Sequence, residues 1–192
     1  RMDVFYAVAS SGDSEGIHVG LDQGVGADPG SISLPVSDFS TPGSTFCGAS
    51  SPVYLITAYE SLFLQAEAVA RTLASGSAST LYADAVQAAF DLAGAGSAAS
   101  LLTTGGAYEY GATDVSGVAN SGLADIHYQK WLAMNGTQNV EGWNEFRRTG
   151  IPADLSNSFV AATLTNGSGF PLRALYPNSE VTNNPNTPDL GT

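Results

Sequence analysis

The chain has 192 residues, of which 43% are hydrophobic, with six Lys plus Arg against 18 Asp plus Glu and a formal charge of −12. That apolar content is enough for a sizeable core and excludes wholesale disorder. Charged residues make up only 12%, so the acidity reflects a shortage of bases, and a handful of scattered bases cannot neutralise a run of phosphates; nucleic-acid binding is excluded.

In chain order, Val4–Val8 reads as a short strand, followed by a long glycine- and proline-punctuated segment up to Pro52. From Val53 to about Leu73 the pattern turns helical. Leu55, Tyr59, Leu62, Phe63, Ala66, Val69, Ala70 and Leu73 recur at three- and four-residue steps and form one apolar stripe. A second helix is expected from about Ser79 to Leu92, capped by Ser79 or Thr80 and ended by Gly94. The short Ser75–Ala78 turn makes these two helices an antiparallel hairpin. Residues 93–121 are rich in small side chains and carry no clear period. A third helix is expected from Leu123 to Met134, stopped by Asn135-Gly136. A fourth runs from about Val140 to Arg148, capped by Asn139 and stopped by Gly150 and Pro152. The remainder is polar and loop-like. The architecture read from the residues is one of helical hairpins with long loops.

Several motifs carry chemistry on paper. Gly12-Asp13-Ser14-Glu15-Gly16 matches a nucleophile elbow as a string, but no helix follows the serine, and the late histidine, His127, falls inside a helix. Gly94–Ala99 resembles a truncated dinucleotide fingerprint but follows a helix rather than a strand. Glu60 and Glu67 share a face of the first helix. Paired carboxylates can do glycosidase work, yet Glu67 is placed to pair with Arg71, Arg147 or Arg148, and a structural ion pair is the stronger reading. Asp22, Asp28 and Asp38 lack calcium-loop spacing. Asn135-Gly136-Thr137 and Asn166-Gly167-Ser168 are glycosylation sequons only where such sites are read. The lone Cys47 excludes an internal disulfide or a thiolate zinc site, and the two histidines, His18 and His127, are far apart in the sequence. Neither a metal nor a cofactor is called for. No apolar run approaches the ~20 residues of a membrane span. Flat rings suit the C–H faces of sugars. Trp131 and Trp143 fall on helices, where core packing is the commoner role, so Tyr108 and Tyr110, in a loop, are the candidate ligand-binding residues.

Five segments in order resemble the SusD/RagB family, and specifically its SusD-like branch. They are Pro52 to Glu60 running into Phe63-Leu64-Gln65-Ala66-Glu67-Ala68; Leu81-Tyr82-Ala83-Asp84-Ala85-Val86; and Ile126-His127-Tyr128-Gln129-Lys130-Trp131-Leu132-Ala133. Asn139 to Pro152 follows, with Glu141, Trp143 and Arg147-Arg148-Thr149-Gly150. The last is Arg173-Ala174-Leu175-Tyr176-Pro177-Asn178-Ser179-Glu180 with Asn183 or Asn184.

This resemblance implies a mainly α fold, a tetratricopeptide-like superhelix of helical hairpins whose long irregular loops build a glycan or peptide site. It implies a non-catalytic nutrient-binding lipoprotein of the outer-membrane surface. Such a protein captures oligosaccharide and hands it to a TonB-dependent, SusC-like transporter. A peptide ligand, or a helical-repeat module serving protein interaction, is the alternative. It further implies that Gln129, Arg147 and Arg148 tie helices together with Glu60 and Glu67 as scaffold. The chain opens on Arg1-Met2-Asp3 without a signal-peptide pattern and lacks the family's lipid-modified N-terminal cysteine and Trp-rich tail. Residues 1–192 are therefore expected to be the C-terminal part of one SusD-like domain. Residues 1–52 would be loop-rich, 53–150 helical hairpins and 151–192 irregular, with the lipid anchor outside this chain.

Overall fold

The computed structural model describes residues 1–21, 35–112, 122–155, 170 and 176–186. The chain divides into two units, 1–19 with 36–155 and 20–35 with 156–192. Among the described residues the structure is helical and contains no strand, only one isolated bridge.

The first unit begins with a single helical turn, α1 (Met2–Phe5), where the sequence suggested a strand. Tyr6 does pair antiparallel with Pro42, flanked by Ala7 N–H to the Thr41 carbonyl at 2.9 Å and Gly43 N–H to the Phe5 carbonyl at 2.7 Å. Pro42 has no N–H to extend a ladder, so the apolar run at Val4–Val8 stops at a bridge. A second turn, α2 (Ser44–Cys47), brings Phe46 against Phe5 with ring centres 5.2 Å apart. Cys47 is exposed.

The main body starts with α3 (Ala58–Ala70), later than the expected Val53. Thr57 decides the start: its hydroxyl accepts the Glu60 N–H at 3.3 Å, filling one of the donors a helix end leaves open. Leu55, expected on the apolar stripe, therefore lies outside the helix and is 90% exposed, and Leu73 is exposed beyond its other end. The stripe that is buried comprises Tyr59, Phe63 and Ala66, with Glu67 beside them. Helix α4 (Ala78–Ala93) is capped by Ser77, just before the expected Ser79 or Thr80, whose hydroxyl accepts the Thr80 N–H at 3.2 Å. It ends at Gly94 in the left-handed conformation that glycine adopts without a Cβ clash. The short link at 71–77 folds α4 back along α3. Ala66, Ala85 and Ala89 at the interface let the backbones approach closely while Phe63, Tyr82, Val86 and Phe90 fill the gaps.

A turn, α5 (Ala99–Leu102), follows; residues 113–121 lie outside the described set. Helix α6 (Leu123–Met134) has the expected limits and inserts Ile126 and Met134 into the same core. Helix α7 (Asn139–Thr149) packs on α6 and ends at Gly150. Its capping position is Gln138, not Asn139. The Asn139 side chain instead accepts the Gly136 N–H at 2.9 Å and tightens the α6–α7 corner. In the second unit, α8 (Asn178–Asn183) begins after Pro177, and Glu180 accepts a hydrogen bond from the Asn184 amide. No helix among the described residues is long and apolar enough to cross a membrane.

Candidate functional site

Where α3, α6 and α7 meet, the chain buries charge. Glu67 of α3 receives both Nη atoms of Arg148 from α7, at 2.7 and 2.8 Å, and the Nε of Arg71 at 2.8 Å. Glu145 of α7 accepts from His127 Nδ1 at 2.9 Å, Lys130 Nζ at 3.1 Å and Arg148 Nη2 at 2.8 Å. Glu67, His127, Lys130 and Glu145 are all buried. A buried carboxylate survives only with such partners. Burial pushes the Glu145 carboxyl up, but the His127 hydrogen bond, the Lys130 ammonium and the Arg148 fork outweigh it and hold the group at about 2. Glu67 behaves alike: burial raises it, and Arg148 and Arg71 together pull it below the usual carboxylate value. The Glu67 hydrogen bonds in turn raise Arg148, so its charge is permanent. With Glu145 ionised, a carboxylate can only accept, which assigns the His127 proton to Nδ1.

The ligating atoms of Glu67, His127 and Glu145 lie within 4.8 Å of one another. Spacing alone would suit a cation, but those oxygens are already committed to Arg148, Arg71 and Lys130, whose charges repel one. The arrangement is a cross-helix ion network.

Beside it, a polar corner is organised by Gln138. Its amide nitrogen donates to Glu60 Oε2 at 2.8 Å and to the Leu55 carbonyl at 3.2 Å. Its oxygen accepts from Tyr59 Oη at 3.2 Å and Thr57 Oγ1 at 3.4 Å. Every hydrogen-bonding position of the buried amide is used. The hub binds the start of α3 to the α6–α7 corner.

Of the residues singled out from the sequence, Glu67 and Arg148 come together directly, and Arg71 joins them. Glu60 bonds Gln138 rather than a cation. Gln129 accepts from the Arg1 guanidinium, which also lies over the rings of Phe90 at 4.9 Å and Tyr108 at 5.4 Å. Arg147 is exposed and enters no ion pair among the described residues. Tyr108 and Tyr110 are half-buried against the core. Tyr82 Oη donates to the Tyr108 carbonyl at 3.0 Å, the Tyr110 ring lies 5.3 Å from that of Tyr82, and the Gly111 N–H donates to Asp125 at 2.6 Å. Burial, with the nearby Asp125 charge, raises the Tyr110 phenol. Gly122, at φ +77°, passes beneath this ring, and a Cβ there would run into the Tyr110 hydroxyl. Ser14 sits in a 3-10 turn with no strand before it, and Asp38 accepts from Ser11 Oγ at 2.8 Å; Asp22, Asp28 and Asn166 lie outside the described residues.

Lys130, Glu145 and Gln138 had not stood out in the sequence as partners. The signal lay in spacing: His127 with Lys130, and Glu145 with Arg148, are each three residues apart and so share a helix face. A cavity of about 260 Å³ opens at the edge of the network, lined by Arg71, His127, Arg148 and Thr149 with Leu123, Ala124 and Ile151.

The chain as a whole is similar to known proteins. A family model described as starch-binding and associating with the outer membrane, SusD-like, matches residues 1–177. No curated protein matches the chain. Among solved structures, a SusD homologue from Bacteroides vulgatus shares 29% identity with a TM-score of 0.64, over 80% of this chain and 34% of that one. A second, from Bacteroides thetaiotaomicron, shares 26% identity with a TM-score of 0.69, over 95% and 41%. A chitin-binding SusD homologue from Flavobacterium johnsoniae, at 24% identity and a TM-score of 0.57 over 82% and 35%, shares the fold. The chain thus spans less than half the length of the structures it matches. Over that span it belongs to the SusD-like family of the SusD/RagB group.

Proposed function

We propose that this chain is part of a non-catalytic cell-surface protein that captures oligosaccharide for uptake through a TonB-dependent, SusC-like transporter of the outer membrane. The observation that carries the reading is the family match over residues 1–177, whose description joins starch binding to the outer membrane. The charge network supports a binding rather than a catalytic role. Its carboxylates are saturated by Arg71, Lys130, His127 and Arg148, so neither Glu67 nor Glu145 has a proton to give to a leaving group or an oxygen free for attack.

Tyr108 and Tyr110 are the rings we assign to ligand contact, carried on a loop that Tyr82 and Asp125 pin to the helices. Calorimetry of the native protein against a panel of oligosaccharides tests the reading, with peptides as the second panel. Saccharide affinity without turnover is expected; peptide affinity with no saccharide affinity would overturn it. Pull-down from outer membranes tests the transporter, which is expected to co-purify whether or not glycan is present.

A further inference from the structure

Arg1 is held at both ends. Its carbonyl accepts the Val4 and Phe5 N–H groups, each at 3.0 Å, and so starts α1. Its Nη2 donates to Gln129 Oε1 of α6, a side chain that is itself buried. Between these anchors the guanidinium lies over two rings, 4.9 Å from the centre of Phe90 and 5.4 Å from that of Tyr108. No ion pair among the described residues takes up its charge, and its Nη1 is buried without a hydrogen-bond partner. A cation taken out of water is costly unless something answers it. In a chain with 18 Asp and Glu, the answer here is two aromatic rings rather than a carboxylate.

The Tyr108 ring is the part of its loop that needs such a contact. The Tyr108 N–H donates to the Leu101 carbonyl at 2.7 Å, and its own carbonyl accepts from Tyr82 Oη at 3.0 Å. Those bonds fix the backbone but leave the ring its rotation about the Cα–Cβ bond. Phe90 meets the ring nearly at right angles, with centres 6.5 Å apart, and the Arg1 guanidinium lies over it. Phe90 is a buried core ring of α4, so Arg1, in contact with both, couples the loop ring to the rigid core. A guanidinium suits this place because it is planar and can lie on a ring while donating sideways, which a compact ammonium does less well. Tyr108 is half-buried, so part of its surface stays open to a ligand. A ring already held in its bound direction gives up no rotamer freedom when a ligand stacks on it, and affinity rises without a new contact.

We propose that Arg1 is a positioning residue for saccharide capture: its guanidinium, laid on Phe90 and tied to Gln129, holds the Tyr108 ring in the direction that meets the ligand. The inference rests on the assignment of Tyr108 to ligand contact above and adds the group that preorganises it. Calorimetry of the native protein against maltohexaose, xylohexaose and chitohexaose first selects the saccharide that binds most tightly. Arg1→Gln, Tyr108→Ala and the double variant are then measured on that saccharide. Arg1→Gln is expected to weaken binding about three- to tenfold, and to have no further effect once Tyr108 is replaced by alanine. A merely structural loss would instead be the same in both backgrounds. Arg1→Lys keeps the charge but not the flat fork, and its affinity is expected to fall between those of the native protein and Arg1→Gln. It carries the same cycle should Arg1→Gln fail to fold. Native affinity in Arg1→Gln, or an equal loss in both Tyr108 backgrounds, overturns the positioning role and leaves the capture reading standing. Native affinity in Tyr108→Ala overturns the assignment of that ring and this inference with it. A native protein that binds none of the three saccharides overturns the capture reading itself.

Discussion

The α3–α4 hairpin and the α6–α7 pair are both two helices joined by a short turn, yet they are held by different forces. The first interlocks alanines with Phe63, Tyr82, Val86 and Phe90 in a dry seam. The second offers fewer apolar residues to its neighbours and buries Asp125, His127, Gln129, Lys130 and Glu145 instead. Apolar packing tolerates small errors of position because dispersion and water exclusion are non-directional. A buried ion network does not, since each charge left without a partner costs several kcal/mol. The hairpin therefore supplies most of the adhesion, and the network dictates the register in which α7 docks on α3 and α6.

The sharpest way to break this contrast is Glu145→Ala, which strands Lys130 and His127 in the interior. It is expected to cost about 3–5 kcal/mol, read as a shift in the denaturant midpoint. Phe63→Ala, a cavity in the dry seam, is expected to cost a similar ~3–5 kcal/mol. Only pH separates the two. Glu145 titrates at about 2 when folded against 4.5 for an ordinary glutamate, so its contribution is complete above about pH 4.5 and is lost as pH falls towards about 2. Melting temperatures measured across that window should keep their acid slope in Phe63→Ala and flatten in Glu145→Gln. An unchanged slope in Glu145→Gln would mean that another carboxylate governs acid sensitivity.

Smaller effects sharpen the comparison. Gln138→Ala leaves Glu60 and Tyr59 each without one partner at the corner, at a cost of about 1–3 kcal/mol. Amide exchange should then accelerate at the start of α3 and spare α4. The smallest effect is expected for Arg71→Gln. This residue is half in solvent, and Glu67 keeps both bonds to Arg148, so the loss is about 0–1 kcal/mol.

The apolar period located the body of α3, because a buried stripe repeats every turn whatever lies opposite it. Cap and stop residues placed Gly94 and Gly150, and the ordered segments pointed to the family. The start of α3 was misplaced because Val53, Leu55 and Ile56 are apolar but exposed, and hydrophobicity does not report which side of Thr57 the helix begins. The Val4–Val8 strand failed for a kindred reason: a strand needs a partner with donors to share, and its partner is Pro42.

The sequence by itself determined the local events: helices, caps, hairpin turn, acidity and family. Only the tertiary structure decided the pairings. Glu67 had Arg71, Arg147 and Arg148 within reach on paper, and the fold chose Arg71 and Arg148 while leaving Arg147 exposed. It also drew His127, Lys130 and Glu145 into one cluster and opened a cavity at its edge. Helical periodicity is written in residues three and four apart, whereas a charge pair between helices depends on the rotation and distance of two rigid bodies.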